Sequence, residues 1–243
     1  SSYSIASAAS GDSGSYACQV TNTCGTTASA AAQVTVAALS NACYTVGAQP
    51  HSTATGNFDG QNGNDLVVSN EADNSIQVLL NDGAGFLVAQ PAVSLSGGPR
   101  GLATGDFDGD SKLDVAVAVP STGEVVVLYG DGLGGFAAQV ALSGLGVPVT
   151  CAAIELPGNA HPDLAVCDLG SFLSPGRVLL LASGANSASA PRSFGSAATL
   201  VSGGVFADLA VADVVGTSAP DIVAANSSTG GSSGVHVIDG ATL

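Results

Sequence analysis

Basic residues are nearly missing from this chain. Four Lys and Arg stand against nineteen Asp and Glu in 243 residues, a formal net charge of −15. That imbalance excludes nucleic acid and anionic membrane surfaces as partners, because both recruit proteins by pairing phosphate with cationic side chains. Charge of either sign is scarce, at 9% of residues, so Ser, Thr, Asn and Gly must wet the surface. Long apolar runs are missing too. Stretches such as Val115 to Val119 stop after five residues, far short of the ~20 that span a bilayer. Histidine is limited to His51, His161 and His236, scattered along the chain, and a lone histidine beside a strand makes a poor general base. Abundant serines mean nothing without a base and an oxyanion site, so the chain reads as no enzyme. No pair among the five cysteines has zinc-ligand spacing. The chain opens with neither Met nor a basic-then-apolar leader, and so reads as a mature or excised piece.

Acid, by contrast, is crowded. Residues 105 to 114 read GDFDGDSKLD and carry four of the nineteen carboxylates. Carboxylates held a few ångströms apart repel one another unless bulk solvent or a bound cation relieves them. The spacing favours the cation. Asp106, Asp108, Asp110 and Asp114 occupy positions 1, 3, 5 and 9 of a loop, and alternate residues of a tight turn can face one centre. Carboxylate oxygens without His or Cys suit Ca2+, which takes six to eight hard oxygens in irregular geometry. Lys112, at position 7, can offer only its backbone carbonyl, with its ammonium turned to solvent. The plainer alternative is an acidic, solvent-facing turn.

The loop recurs. NFDGQNGND at 57 to 65, DFDGDSKLD at 106 to 114 and ELPGNAHPD at 155 to 163 repeat with a period of 49 residues, and DVVGTSAPD at 213 to 221 is a fourth copy, displaced by 58 through an insertion around SGANSASAPRSF. Pro50, Pro99 and Pro148 share the period, and every copy has Gly at its fourth position: Gly60, Gly109, Gly158 and Gly216. Short β-branched runs follow each loop (DLVVSN, DVAVAVP, DLAVCD, DIVAAN), then a second run such as EVVVLYGDG. With one strand before the loop and an outer one such as GFLVAQPAV, four strands fit in about fifty residues, the arithmetic of a propeller blade. The fold class expected is all-β, with about four such four-stranded repeats.

From about residue 46 to 243 these motifs resemble the FG-GAP or VCBS repeats of integrin α-subunit propellers and of many secreted bacterial proteins. The resemblance implies calcium binding in the hairpin loop through a D-x-D/N-x-D-G-x-x-D pattern. The second copy matches it, with Ser111 where glycine is usual. The first offers Asn57, Asp59, Gln61, Gly63 and Asp65, fewer charges and hence weaker binding. The third has Pro157 at a ligand position beside Glu155 and Asn159, and the fourth has Val215 and Ala219. Those two loops are expected to have kept the turn and lost the metal.

Residues 1–38 differ from the propeller repeats of 39–243. DSGSYACQVTNTCG followed by ASAAAQVTV resembles the end of an immunoglobulin-like domain, with a tyrosine corner at Tyr16 and strands F and G after it. A Ser/Ala-rich linker that merely alternates is the other reading. Cys151 and Cys167 lie eight residues either side of Asn159, so a regular hairpin would set them opposite each other, within reach of a bridge. Two small buried residues are the alternative. A bridge would point to an oxidising, extracellular compartment.

These readings converge on a secreted or cell-surface, calcium-stabilised adhesive or structural module, extending to a filament or surface-layer subunit, with a protein or glycan as ligand. A lectin, or the non-catalytic propeller of a larger secreted hydrolase or lyase, is the alternative. The fourth copy ends before an outer strand, while Ala37 to Val46 falls where an outer strand belongs. That segment is expected to pair with the fourth blade, within one chain or head-to-tail between copies.

Overall fold

The computed structural model describes residues 14–17, 19–22, 25–28, 32–34, 43–61, 63–170, 174–183, 194–228 and 233–243, which divide between two compact units, Ser1–Tyr44 and Thr45–Leu243. In the smaller unit β1 (Gly14–Tyr16) pairs antiparallel with β4 (Ala32–Val34), and β2 (Gln19–Asn22) with β3 (Gly25–Ala28). These two ladders are what the described residues show of the expected immunoglobulin-like end. Tyr16 is 38% exposed, and Cys18 and Cys24 lie outside the described residues.

The larger unit consists of four small antiparallel sheets in a four-blade propeller arrangement. The first blade is β5 (Pro50–Gly56), β6 (Asp65–Asn70) and β7 (Ser75–Asn81), with both β8 (Leu87–Ala89) and β9 (Val93–Ser94) pairing to β7. The second is β10 (Leu102–Gly105), β11 (Asp114–Val119), β12 (Glu124–Gly130) and β13 (Phe136–Leu142). The third is β14 (Pro148–Ile154), β15 (Asp163–Asp168), β16 (Gly176–Leu181) and β17 (Ala198–Gly204). The fourth has three strands, β18 (Phe206–Ala212), β19 (Asp221–Asn226) and β20 (Gly234–Ile238), and ends in a short 3-10 turn. Among the described residues no outer strand pairs with β20. Cys43 to Val46 carry no strand, and the rest of the Ala37–Val46 segment lies outside the described residues.

The sequence runs explain the layering. β11 (DVAVAV) and β15 (DLAVCD) are buried at every position, as β-branched strands covered on both faces should be. Inner strands pack in order, β5 on β10, β10 on β14 and β14 on β18. Gly101 allows the middle contact. Its amide donates to the Val149 carbonyl at 3.1 Å, and a Cβ there would sit 2.4 Å from the Thr150 Cα. Three buried apolar clusters result, one at each successive blade junction.

The expected Cys151–Cys167 bridge is absent: both thiols are free and buried. In the hairpin Cys151 stands opposite Val166, and Cys167 opposite Thr150. The ladder is thus one residue out of the register that equal spacing about Asn159 implied. Since strand side chains alternate between faces, Cys151 joins the core between the second and third blades and Cys167 the core between the third and fourth.

Candidate metal centre

Each repeat loop bridges the inner strand of its blade to the next strand, and its fourth residue turns through the left-handed region. Gly60, Gly109, Gly158 and Gly216 have φ of 72°, 68°, 89° and 75°. A Cβ at Gly60, Gly158 or Gly216 would meet nothing within 4 Å, so backbone conformation and not space demands glycine there.

The closing aspartates Asp65, Asp114, Asp163 and Asp221 are all buried to within 1% of full burial. Each receives hydrogen bonds from two directions. Asp65 accepts from the Phe58 amide at 2.7 Å and the Asn81 amide at 2.8 Å. Asp114 accepts from the amides of Phe107 at 2.7 Å, Asp108 at 3.3 Å and Gly130 at 2.8 Å. Asp163 takes the Asn159 side-chain amide at 2.8 Å, and the amide and hydroxyl of Ser183 at 2.7 and 2.8 Å. Asp221 takes the amides of Val214, Val215 and Gly240 at 2.7, 2.9 and 3.1 Å. The closing aspartate is therefore a clasp, fastening its loop to the end of the following strand. Sequence reading treated it only as a ligand. The signal was nonetheless present, because Asp163 and Asp221 stand in the two loops whose third position is Pro157 or Val215.

In the second loop a further layer lies over the clasp. Oxygens of Asp106, Asp108 and Asp114 all come within 4.8 Å of one another. Asp106 accepts from the Gly109 amide and, at 3.0 Å, from that of Ser111; Asp108 accepts from the Asp110 amide at 3.1 Å. Asp110, whose carboxyl also meets the Asp108 side chain, faces Lys112 as well. Its carboxylate lies 2.9 Å from the Lys112 ammonium and also accepts the Lys112 amide at 2.9 Å. Burial works to raise the Asp110 pKa, but the hydrogen bonds and charge of Lys112 outweigh it and hold the carboxyl below its ordinary value. The Lys112 ammonium thus pairs with Asp110 while its side chain stays exposed, as expected.

Asp114 shifts the other way. Burial pushes its pKa up to about 7, against the pull of the Gly130 and Phe107 amides, and the neighbouring charges of Asp108 and Asp106 add to the rise. Asp221 makes the same kind of clasp without two carboxylates beside it, and its amide bonds from Val215 and Val214 hold it below the usual range. The second loop is therefore the one where negative charge is under-compensated. Three convergent carboxylates with no nitrogen or sulfur donor form a hard oxygen set that fits Ca2+. Asp106, Asp108 and Asp114 can hold such an ion. In the first loop Asp59 is half-buried and accepts the Gln61 amide at 2.8 Å, while Asn57, Gln61 and Gly63 are exposed. Gly63 sits at φ 105°, and only Asp59 and Asp65 supply carboxylates there. Asp106 also borders a cleft of about 720 Å³ with Thr104, Glu155, His161 and Ser218, drawn from the second, third and fourth repeats.

Comparison with known proteins agrees with this repeat structure. Residues 57–117 and 106–166 match the FG-GAP-like repeat. No curated protein matches the chain. The two matched spans share the second loop and cover the first three, so within the four-blade arrangement residues 57–166 are similar to FG-GAP-like repeats.

Proposed function

We propose that this chain is a calcium-stabilised adhesive or structural module of a secreted or cell-surface protein, working by binding protein or glycan and not by catalysis. An FG-GAP propeller fits a structural or adhesive module, FG-GAP repeats commonly bind calcium, and they typically occur in extracellular proteins. The observation that carries the calcium reading is the convergence of Asp106, Asp108 and Asp114 within 4.8 Å, in the loop where burial and like charge raise Asp114 to about 7. A divalent cation would offset that repulsion and tie the loop opening to its closing clasp. Asp110 would join the shell by exchanging Lys112 for the cation, with the Lys112 carbonyl beside it. The first loop, through Asn57, Asp59, Gln61 and Asp65, would bind the same ion more weakly.

Calorimetry in calcium and in chelator tests the reading. A ligand bound only by the folded state adds RT ln(1 + [L]/Kd), about 2.7 kcal/mol at a hundredfold excess over Kd. Melting temperature should rise with calcium, and Asp108→Ala should remove more of the rise than Asp59→Ala. Equal melting temperatures in the two buffers would sink the calcium reading.

A further inference from the structure

Lys112 is a cation placed where the chain's negative charge is densest. Only four Lys and Arg occur in the sequence, and one of them takes position 7 of the second loop, where the other loops have Gly63, His161 and Ala219. The second loop also carries four carboxylates, Asp106, Asp108, Asp110 and Asp114, against two in each of the others. The ammonium lies 2.9 Å from the Asp110 carboxylate, and Asp110 in turn meets the side chain of Asp108, a member of the convergent set. The charges of Asp108 and Asp131 act on the same ammonium. Asp131 belongs to a different turn, where its carboxylate accepts the amides of Leu133 and Gly135 at 2.7 and 3.0 Å. That turn leaves room for the lysine stem, because a Cβ at Gly132 would sit 2.9 Å from the Lys112 Cδ. One ammonium is thus shared among three carboxylates, of which Asp108 and Asp110 stand at ligand positions and Asp131 does not.

We propose that Lys112 is a tethered competitor of calcium, which sets the affinity of the second loop and steadies that loop when it is metal-free. This role rests on the calcium reading and adds what regulates the site. An ammonium and Ca2+ seek the same hard oxygens, but the ammonium has one charge and three N–H donors, whereas calcium gathers six to eight oxygens. In the metal-free loop the ammonium relieves part of the repulsion among the four acids, and its stem keeps it at high effective concentration there. Asp110 can join a metal shell only by releasing the ammonium, and two cations a few ångströms apart repel each other. Lys112 therefore works against binding. The pair is exposed and hence weak, so it lowers affinity without preventing occupancy. Asp131, outside the ligand set, remains as the counter-charge of the released ammonium, which keeps the exchange reversible.

Lys112→Gln tests this, since it removes the charge and leaves the backbone carbonyl of position 7 in place. The variants are made in the full chain on an Asp59→Ala background, which silences the weaker first loop. Two quantities are read: calcium Kd by titration calorimetry, and melting temperature in chelator. Lys112→Gln should bind calcium about threefold or more tightly than the background chain, and should melt at a lower temperature in chelator. Lys112→Arg, which keeps the charge, should stay close to the background chain in both. A merely structural lysine would instead weaken calcium binding and lower the melting temperature together. Arg100, whose amide donates to the Ala118 carbonyl and whose guanidinium pairs with Glu71, sits at the end of β11 away from the loop. Arg100→Gln should therefore leave the calcium Kd unchanged, and tightening equal to that of Lys112→Gln would assign the effect to net charge and overturn the proposal. Equal or weaker calcium binding by Lys112→Gln, or an unchanged melting temperature in chelator, also overturns it, while the calcium reading stands because the background chain still binds. Calcium binding by neither chain is the distinct failure of the calcium reading, and overturns both.

Discussion

Residues that look alike in this chain are separated by what surrounds them. Asp168 is fully buried and accepts from the amides of Gly146, Val147 and Gly170 at 3.0, 2.7 and 2.8 Å, and from the Arg177 guanidinium at 2.6 Å. Burial opposes its ionisation, yet Arg177 and the amides prevail and hold its pKa below the ordinary 3.8. A carboxyl with a depressed folded-state pKa adds stability that is present above the unfolded value and lost as pH falls through the folded one. The melting temperature of the parent chain should accordingly exceed that of Asp168→Asn at about pH 5, with the gap narrowing as pH falls below the unfolded value. A gap that does not change as pH falls would show that Asp168 is not ionised. Burial pushes the thiols of Cys151 and Cys167 up to about 12, and thiols so placed are inert because the thiolate is the reactive form. Neither should alkylate in the native chain at neutral pH, and both should do so after unfolding without reductant. Recovery of a linked 151–167 peptide would contradict the register described above.

At the level of single elements, the loop hairpin is the unit that repeats, and its turn chemistry is unequal between copies. Ser111 and Ser218, both at the sixth position, have φ of 67° and 64°, a region that costs a non-glycine residue about 1–2 kcal/mol. Ser111→Gly should therefore raise stability by up to about 1 kcal/mol, the relief of strain being partly offset by the greater entropy of the unfolded chain. Gly216→Ala should lower it by about 1 kcal/mol, although the added methyl finds open space. Denaturant titration of both variants checks the pair. Equal and small changes would mean that the loops relax around either residue.

Across the larger unit, burial is deepest in the middle strands of the second and third blades. Strands β11 and β15 are buried at every position and β12 and β16 nearly so, while β20 alternates between half-buried and exposed, as does β18 after the buried Phe206. Because contacts run from each blade to the next, as in a linear repeat array, protection should be graded along the chain. Native-state hydrogen exchange should be slowest in β11, β12, β15 and β16 and fastest in β20. Uniform protection would indicate one cooperative block.

Much of this was legible in local signals. The 49-residue period, the loop positions, the glycine at position four and the β-branched runs each reflect a turn or an alternation confined to a few neighbouring residues, and the blades follow them. Four strands per blade held for the second and third repeats. Pairings between strands were not legible, because register depends on groups far apart in the chain. A one-residue offset sent Cys151 and Cys167 into different cores. The clasps of Asp65, Asp114, Asp163 and Asp221 have partners 16 to 20 residues away. At the metal centre, spacing set Asp110 with Asp106, Asp108 and Asp114, and did not foretell its ion pair with Lys112. Composition also could not distinguish the valines buried between blades from Val214, Val235 and Val237, since their side chains are the same. A residue's type sets what it would gain by burial, and its place in the stack of sheets sets whether a neighbour is there to bury it.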